Sequence, residues 1–227
     1  MKQTVCTKAP AKRRYFIGGS DARIIMGNDG AALLRLWQEK RGEVEPEDLS
    51  GNLIVQLGVV TEDLNRRWYQ ANTGQVLTDI QRQIRHPVLG WMAATLDGRV
   101  AATEAVFEAK FVLPWAFSED AAAEKYMPQL QHNMWVVAAR SAVLSVITGG
   151  GKWVEINTHA DPLYQHLIVT AERKFWLCRK RRPPSPIRRR GAEAAGRGGP
   201  NRRHERIKFV GGVRRPVPQH TAGLSGS

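Results

Sequence analysis

The stretch that most constrains the fold is residues 106–111, which read Val-Phe-Glu-Ala-Lys-Phe. Apolar and polar residues alternate along it, and this period of two predicts a half-buried β-strand. Side chains two residues apart on a strand share a face, so Glu108 and Lys110 should point together, while the two phenylalanines and Ala109 face the other way. The sequence therefore predicts a strand that presents a carboxylate beside an ammonium.

A second acidic residue lies just upstream of this strand. Residues 91–96 are another strand candidate and end at Asp97-Gly98, a dipeptide that favours a tight hairpin turn. A hairpin of that kind would bring Asp97 beside Glu108. Two carboxylates and an ammonium around one point can hold a hard divalent ion, orient water and stabilise a phosphate. The plainer alternative for the Glu-x-Lys triplet is a solvated ion pair on an exposed strand face.

Several protein classes are excluded by composition. Cys6 and Cys178 are the only cysteines, which argues against a disulfide scaffold, a Cys-rich zinc site and a four-cysteine iron–sulfur cluster. No apolar run is long enough to predict a membrane span, and the N-terminus lacks the apolar core of a secretory signal. We therefore expect a soluble cytoplasmic protein with one ordinary core and no membrane partner.

The net charge of +13 is concentrated at one end of the chain. Residues 179–227 hold 14 Lys and Arg against Glu193 and Glu205, a net charge of +12 that leaves residues 1–178 at +1. We expect residues 1–178 to form the folded domain and residues 179–227 to be a separate basic tail. Contacts of the folded domain with nucleic acid would then depend on local placement of charge.

The tail has two explanations. Its arginine runs, its glycines and prolines and its lack of helical period are typical of a disordered arm that binds nucleic acid electrostatically. Alternatively it is an out-of-frame translation, because permitted codons for residues 186–190 and 196–210 shift by one base into a strand-like segment of normal charge balance. The frameshift fits better, so we give the tail no weight as functional evidence. Sequencing the coding DNA tests this hypothesis.

The remaining patterns predict a single α/β domain with a central mixed β-sheet flanked by helices. Residues 1–14 form a polar, basic lead, and Ser20 or Asp21 is the expected N-cap of a short helix that stops at Gly27. The further predicted elements are helices at 31–40 and 53–71, the second closed by Thr73-Gly74, strands within 75–111 with turns at His86-Pro87 and Asp97-Gly98, a helix at 128–139, strands at 142–147 and 152–157, and a last helix at 161–177. Segment 112–127 receives no predicted role.

Five short motifs, in a fixed order, resemble those of a known family. They are Ile17-Gly18-Gly19-Ser20-Asp21-Ala22, Gly58-Val59-Val60-Thr61-Glu62, Asp97, Glu108-Ala109-Lys110, and Gln129-Leu130-Gln131-His132-Asn133-Met134-Trp135. Each motif alone is weakly specific, but their order and gaps resemble the YqaJ-like viral recombinases, the family that includes phage lambda exonuclease. The resemblance implies a restriction-endonuclease-like PD-(D/E)xK nuclease core. It covers residues 13–178 and leaves the tail without a counterpart.

The resemblance also implies a role for each matching residue near the acidic strand. Asp97 and Glu108 would be carboxylate ligands of a catalytic Mg²⁺, for which Mn²⁺ would substitute, helped by the backbone carbonyl of Ala109. Glu62 would add a carboxylate at a second metal position, although by itself it reads as an ordinary surface glutamate. Lys110 would orient or deprotonate the attacking water and offset charge on the phosphate.

Two further groups follow from the same resemblance. Gln129 would hold the lysine or the nucleophilic water, with Gln131 as a neighbouring candidate, although both could be solvated. Ser20 follows two glycines at a helix N-terminus, where backbone N–H groups and the helix dipole attract an anion. It would bind a terminal 5′-phosphate, with Arg13 or Arg14 as the cationic partner, or it could be a simple N-cap.

The predicted function is a Mg²⁺-dependent 5′→3′ exonuclease on linear double-stranded DNA. It would leave 3′ single-stranded overhangs for a strand-annealing recombinase in phage or prophage recombination, and relatives of this type can form homo-oligomers around DNA. The alternatives are an endonuclease on the same core, a non-catalytic nucleic-acid-binding protein that uses the tail, and an inactive prophage remnant. A pocket at Ser20 favours the exonuclease, because such an enzyme needs a free end.

Overall fold

The computed structural model describes residues 10–179. The helices are α1 Gly19–Met26, α2 Gly30–Arg41, α3 Leu53–Thr73, α4 Glu119–Val137 and α5 Pro162–Cys178, and the strands are β1 Leu77–Thr78, β2 Gln83–Arg85, β3 Ala93–Thr95, β4 Gly98–Val100, β5 Val106–Val112, β6 Ser141–Thr148 and β7 Trp153–His159. Short 3₁₀ helices occupy Pro10–Tyr15 and Pro114–Ala116. Arg179, the first residue of the predicted tail, is the C-cap of α5 and donates a hydrogen bond to the Arg14 carbonyl, so it belongs to the folded domain. The rest of the tail lies outside the described residues, so the frameshift stays a hypothesis.

Five strands form a mixed sheet in the order β1-β4-β5-β6-β7. The middle strand, β5, pairs antiparallel with β4, where Gly98 lies opposite Phe107, and parallel with β6, where Glu108 lies opposite Leu144. Helix α4 connects β5 to β6, because parallel neighbours require a crossover. Strands β2 and β3 form a separate antiparallel ribbon. This topology confirms the predicted α/β fold with a central mixed sheet.

Helices cover both faces of the sheet. On one face, Leu130 and Met134 of α4 pack in a buried apolar cluster with Leu144 of β6. On the other face, Tyr69 of α3 packs on Phe107 of β5, with ring centroids 4.9 Å apart. The prediction of a half-buried strand is therefore wrong for the first four residues of β5, all of which are buried. None of the helices within residues 10–179 is both long and apolar enough to cross a membrane.

The chain path at Asp97-Gly98 differs from the predicted tight turn. Gly98 begins β4, and the turn that joins β4 to β5 is formed by residues 101–105. Asp97 instead links the ribbon strand β3 to β4. The predicted proximity of Asp97 to strand β5, which carries Glu108, is nevertheless confirmed, because Asp97 Oδ2 accepts a hydrogen bond from the Ala109 N–H at 2.9 Å.

Helix α4 begins nine residues earlier than the predicted helix at 128–139. The sequence favours Pro128 as the helix start, since proline fits the first turn. In the structure Pro128 lies inside the helix, and Ser118 is the N-cap, accepting a hydrogen bond from the Ala121 N–H at 3.1 Å. Much of segment 112–127 is therefore helical. The predicted helices that became α2, α3 and α5 and the last two strands match within two residues at each end, and Gly74 closes α3 as predicted, whereas α1 begins two or three residues earlier than predicted.

Candidate active site

Glu108 is buried, with an exposed fraction of 2%, on the face of β5 that α4 covers. Its Oε1 accepts hydrogen bonds from Lys110 Nζ and Gln129 Nε2, and its Oε2 accepts one from Asn133 Nδ2 at 3.1 Å. Gln129 and Asn133 are four residues apart on α4, so their side chains leave the same face of the helix. An ammonium and two amides thus fix the position of this carboxylate, and Lys110 shares the face of Glu108 as predicted.

Asp97 lies at the unpaired edge of β5. Together with Glu108 and Lys110 it forms what we call the carboxylate cluster. Strand β4 has three residues, so in the described part of the chain no strand pairs with this edge of β5 beyond Phe107. The Asp97 carboxylate occupies that place and accepts the Ala109 N–H. Because the N–H and C=O of one strand residue point to the same edge, the Ala109 carbonyl also points toward this side.

The electrostatics of the cluster are unbalanced. Burial raises the pKa of the Asp97 carboxyl well above its ordinary value, the Glu108 carboxylate raises it further, and Lys110 offsets only part of this. Burial would lower the pKa of the Lys110 ammonium, but the Glu108 and Asp97 carboxylates outweigh that effect and raise it. The Asp97 and Glu108 carboxylates therefore share the single ammonium of Lys110 in a buried environment, which leaves an excess of negative charge.

This donor set fits Mg²⁺, a hard cation that binds carboxylate and carbonyl oxygens. Asp97, Glu108 and the Ala109 carbonyl supply such oxygens at one edge of the sheet, and a dication beside them would offset their excess negative charge. The described residues contain no group of three Asp, Glu, His or Cys side chains close enough to surround an ion. The protein ligands of one ion at this edge would therefore be two carboxylates and a carbonyl.

Glu62 lies outside the carboxylate cluster. Its Oε1 accepts hydrogen bonds from Arg66, one helical turn further along α3, and from Gln81. Its side chain is 23% exposed. Besides burial and Glu108, the charge of Glu62 contributes to the raised pKa of Asp97, so the two carboxylates sense each other electrostatically. The structure thus places Glu62 near the site but engages it with an arginine.

Ser20 and Arg13 meet at the start of α1. The N-cap of this helix is Gly18, so the prediction of Ser20 or Asp21 as N-cap is wrong: Asp21 lies in the first turn and accepts the Gly18 N–H at 2.9 Å. The Ser20 hydroxyl accepts a hydrogen bond from Arg13 Nη2 at 2.7 Å, and both residues line a cavity of about 660 Å³. Arg14 also lines this cavity, but its Nη2 donates to the Tyr15 hydroxyl. We call the place where Ser20 and Arg13 meet the end pocket.

A buried ion pair beside the end pocket has no signal in the sequence. Lys40 Nζ donates to Asp21 Oδ2 at 2.6 Å and to the carbonyls of Phe16 and Arg13. Burial would raise the pKa of Asp21, but the Lys40 ammonium and the Arg13 guanidinium outweigh burial and lower it. Lys40 occurs in a Gln-Glu-Lys-Arg run that resembles an exposed helix end, so its burial depends on partners distant in sequence.

Gly19 connects the end pocket to the carboxylate cluster. A Cβ atom at this position would lie 2.4 Å from Asn133 Oδ1, so α1 can pack this closely on α4 only because residue 19 is glycine. The other end of the same amide, Asn133 Nδ2, donates to Glu108. A single side chain therefore separates the backbone beside Ser20 from the buried carboxylate.

Other polar residues of α4 face away from the cluster. Gln131 donates to the His159 carbonyl at 2.8 Å and accepts the Asp161 N–H at 3.0 Å, so the structure does not bring this candidate into the site. His132 is buried, as a packing residue would be, and its Nδ1 is hydrogen-bonded to Glu172 Oε1 at 2.7 Å. The roles of Gln131 and His132 are thus to hold α4 against its neighbours.

Asn65 of α3 is a further buried polar residue that the sequence does not reveal. Its Nδ2 donates to the carbonyls of Lys110 and Ser145 at 3.3 and 2.9 Å. The Ser145 hydroxyl donates back to Asn65 Oδ1 and accepts from Trp153 Nε1. This network fixes the helix that carries Glu62 against the strand that carries Glu108 and Lys110.

Comparison with known proteins gives a family and a fold. Residues 10–148 match the model of the YqaJ-like viral recombinase domain. The chain is 30% identical over 171 residues to the uncharacterized protein YqaJ of Bacillus subtilis, a match that covers 73% of this chain and 53% of that protein. The chain thus spans about half the length of this curated relative.

Two exonucleases have a similar structure. The alkaline exonuclease LHK-Exo of Laribacter hongkongensis, also solved in complex with dAMP, superposes with a TM-score of 0.63 at 19% identity, covering 75% of this chain and 91% of that one. A phage-related exonuclease of Haemophilus somnus superposes with a TM-score of 0.56 at 13% identity, covering 71% and 93%. At these identities the superpositions show a shared fold.

Proposed function

Because the chain belongs to the YqaJ-like viral recombinase family, we propose that it is a Mg²⁺-dependent nuclease that digests linear double-stranded DNA in the 5′→3′ direction. The observation that carries this proposal is the cluster of Asp97, Glu108 and Lys110 on the central sheet. The names of the structural relatives, both exonucleases, support the reaction class. The homo-oligomer, the annealing recombinase and the cytoplasmic location stay predictions.

Each residue of the cluster has a task in phosphodiester hydrolysis. Mg²⁺ held by Asp97, Glu108 and the Ala109 carbonyl would supply a water molecule of lowered pKa and polarise the phosphate. Lys110 keeps its positive charge through the two carboxylates and can neutralise an anionic oxygen of the phosphate. Gln129 donates a hydrogen bond that holds Glu108 in one orientation. A second metal position at Glu62 requires that this carboxylate leave Arg66.

The end pocket supports the proposed direction of digestion. Arg13 and the first N–H groups of α1 are suited to a terminal 5′-phosphate, because cations and helix N-termini both attract anions. The contact between Gly19 and Asn133 keeps this pocket close to Glu108. A strand held by its 5′ end would therefore present its first phosphodiester bonds to the carboxylates, and its removal would leave a 3′ overhang on the other strand.

Digestion of a linear duplex with 5′-phosphates, compared with a closed circle of the same sequence, tests the proposal. We expect loss of the linear DNA alone, in Mg²⁺ or Mn²⁺, and no loss in EDTA or with Asp97→Ala. Labelling either end of one strand reports the direction, and a duplex with 5′-hydroxyl ends reports on the end pocket. Cutting of the circle would favour an endonuclease, and binding without cleavage by a folded sample would favour a binding protein or an inactive remnant.

A further inference from the structure

Three arginine side chains from distant segments surround a cavity of about 390 Å³ next to the end pocket. They are Arg14, Arg41 at the end of α2, and Arg179 after α5, and we call them the arginine cluster. Tyr15 and Lys40 complete the lining of the cavity. Arg14 and Lys40 also line the cavity that contains Ser20, so the two cavities are neighbours. The proposed function relies on Arg13 for the terminal phosphate and gives Arg41 and Arg179 no task.

Each guanidinium of the cluster is held against an aromatic ring. The carbon atoms of the three groups lie 5.1 Å from the ring centroid of Tyr15 for Arg14, 4.6 Å from that of Trp37 for Arg41 and 3.9 Å from that of Trp176 for Arg179. Stacking of this kind orders a flexible side chain before any ligand binds. A ligand would therefore meet three guanidinium groups that are already in place.

Hydrogen bonds connect the cluster. Arg41 Nη1 donates to the Arg179 carbonyl at 2.8 Å, Arg179 Nη1 donates to the Arg14 carbonyl at 3.1 Å, and Arg14 Nη2 donates to the Tyr15 hydroxyl at 3.0 Å. A guanidinium has five N–H donors. Within residues 10–179 the hydrogen bonds of these side chains use one or two donors of each. Most of the donors are thus available to a ligand.

Positive charge in the cluster exceeds negative charge. Within the described range of the chain, the carboxylate that pairs with the cluster is Glu43, which binds Arg41. The charge of Lys40 is taken by Asp21. Like charges held close together repel one another, and the fold offsets this repulsion with stacking and hydrogen bonds instead of acids. This arrangement suits an anion with several phosphate groups.

The order of contacts indicates which strand of DNA the cluster would meet. Contacts run from Glu108 through Asn133 to Gly19, the chain then passes Ser20 to Asp21 in the first turn of α1, and contacts continue from Asp21 through Lys40 to the arginine cluster. The end pocket lies between the carboxylates and the arginines along this path. A strand that ends in the pocket does not continue to the arginines, so DNA that extends past the pocket belongs to the other strand.

We propose that the arginine cluster binds the phosphate backbone of the 3′ overhang, the uncut strand that extends beyond the end pocket as digestion proceeds. The proposal rests on the proposed function for the identity of the substrate. Phosphate contacts of this kind carry no base preference, which suits an enzyme that digests any sequence. They would retain the enzyme on the product of each step.

Binding of the full chain in EDTA, measured by fluorescence anisotropy, tests the proposal without cleavage. The probes are a blunt duplex with 5′-phosphates and the same duplex with a 3′ extension of roughly ten nucleotides, a length typical of single-strand sites. We expect tighter binding to the extended duplex. We also expect its affinity to fall more steeply with salt, by about 0.7 in the log–log slope for each phosphate bound. Equal binding of the two probes would overturn the proposal.

Two variants and a matched control assign the effect to the cluster. Arg41→Gln and Arg179→Gln should each lower the affinity for the extended duplex roughly three- to tenfold, reduce its salt slope and leave the blunt duplex little changed. Arg67→Gln removes the same charge from an exposed site on α3, where Arg67 pairs with Asp63, and should leave the ratio of the two affinities unchanged. Residues 180–227 are the same in all these proteins, so their charges cancel when the variants are compared with the wild type.

Arg179→Lys and thermal melting separate binding from folding. The lysine keeps the charge but loses the planar group over Trp176, so most of the salt slope should be retained with an unchanged Tm. If the ratio of affinities is unchanged in both glutamine variants, or if Arg67→Gln alters it equally, the proposal is wrong. A protein that never cleaves, but whose preference for the extended probe is reduced in both glutamine variants and not in Arg67→Gln, would contradict the nuclease and still support the arginine cluster.

Discussion

Asp21 and Asp97 are two aspartates of the same domain in opposite electrostatic situations. Asp21 is buried with an ammonium, a guanidinium and a backbone N–H around it, and its pKa is lowered. Asp97 has one backbone N–H and the Glu108 carboxylate as a neighbour, and its pKa is raised well above the ordinary value. The two sites are connected through Gly19 and Asn133. The negative charge is offset by neighbouring positive groups at Asp21 but not at Asp97.

The difference separates a structural charge from a functional one. The carboxylate of Asp21 is satisfied by the protein itself, so it holds α1, α2 and the segment before α1 together and needs no ligand. The negative charge of the Asp97 and Glu108 carboxylates exceeds the positive charge that the protein places beside them. A bound cation would therefore stabilise both carboxylates. A variant of each site should therefore affect a different property of the protein.

The largest effect is expected for Lys40→Met, which removes the ammonium and leaves Asp21 buried without its main partner. Loss of one member of a buried ion pair costs about 3–5 kcal/mol of unfolding free energy. Urea unfolding measures this value. The double variant Asp21→Asn/Lys40→Met should recover much of the loss, because the uncompensated charge is gone. A loss well below this range for Lys40→Met would mean that Asp21 is not balanced by Lys40.

The next effect is expected for Asp97→Asn, and it concerns activity. Removal of a carboxylate that we propose binds Mg²⁺ should lower the rate of duplex digestion at least about 100-fold, since loss of a group that only hydrogen-bonds to a metal ligand already costs 10–100-fold. The free energy of unfolding should be unchanged or higher, because the amide oxygen still accepts the Ala109 N–H and the repulsion with Glu108 disappears. Digestion assays and urea unfolding measure both. If Asp97→Asn destabilised the protein as much as Lys40→Met does, Asp97 would be a structural charge like Asp21.

A smaller effect is expected at the junction between the two sites. Gly19→Ala places a methyl group 2.4 Å from Asn133 Oδ1, so the Asn133 side chain or the two helices must shift, at a cost of about 1–3 kcal/mol of unfolding free energy. Digestion should slow as well, because the same amide holds Glu108. The control is Gly58→Ala on α3, where an added Cβ atom would meet no atom of another part of the protein within 4 Å, and alanine should stabilise the helix by up to about 1 kcal/mol. Equal effects of the two substitutions would contradict this account.

The smallest effect is on the pH dependence of stability. The pKa of Asp21 is lower in the folded protein than its unfolded value of 3.8, so its contribution is complete above that pH and is lost as pH falls through the folded pKa. The loss amounts to about 1.4 kcal/mol per unit of pKa difference. Urea unfolding between neutral pH and the acid range should show it in the wild type. The double variant at positions 21 and 40 should lack it, and an identical acid dependence would exclude Asp21 as the cause.

Local patterns in the sequence predict much of the fold. The alternation at residues 106–111 identifies β5, and the spacing of apolar residues with Gly74 at the end identifies α3, because both signals come from neighbours in the chain. The position of Asp97 beside Glu108 follows from the short gap between them. Pro128 misleads, since its preference for a helix start is a statistical tendency that the surrounding helix overrides.

Tertiary partners explain what the sequence does not reveal. Lys40 finds its carboxylate 19 residues away, Asn133 contacts a carboxylate 25 residues away, and His132 pairs with a glutamate 40 residues away. No local pattern distinguishes these polar residues from exposed ones. The same reason applies to Gln131, whose motif suggests the site but whose side chain binds the segment around His159 and Asp161.

Pro128 divides α4 into two parts with different freedom to change. Proline has no N–H to donate to the carbonyl four residues earlier, so the first turns of α4 are coupled less firmly to the part that follows. Gln129 and Asn133 lie in the second part, which the buried apolar cluster anchors to the sheet. Before the proline, Tyr126 belongs to the same buried cluster and its ring lies beside the Lys110 ammonium, so the freedom to accumulate substitutions over evolutionary time is confined to the exposed residues of the first turn.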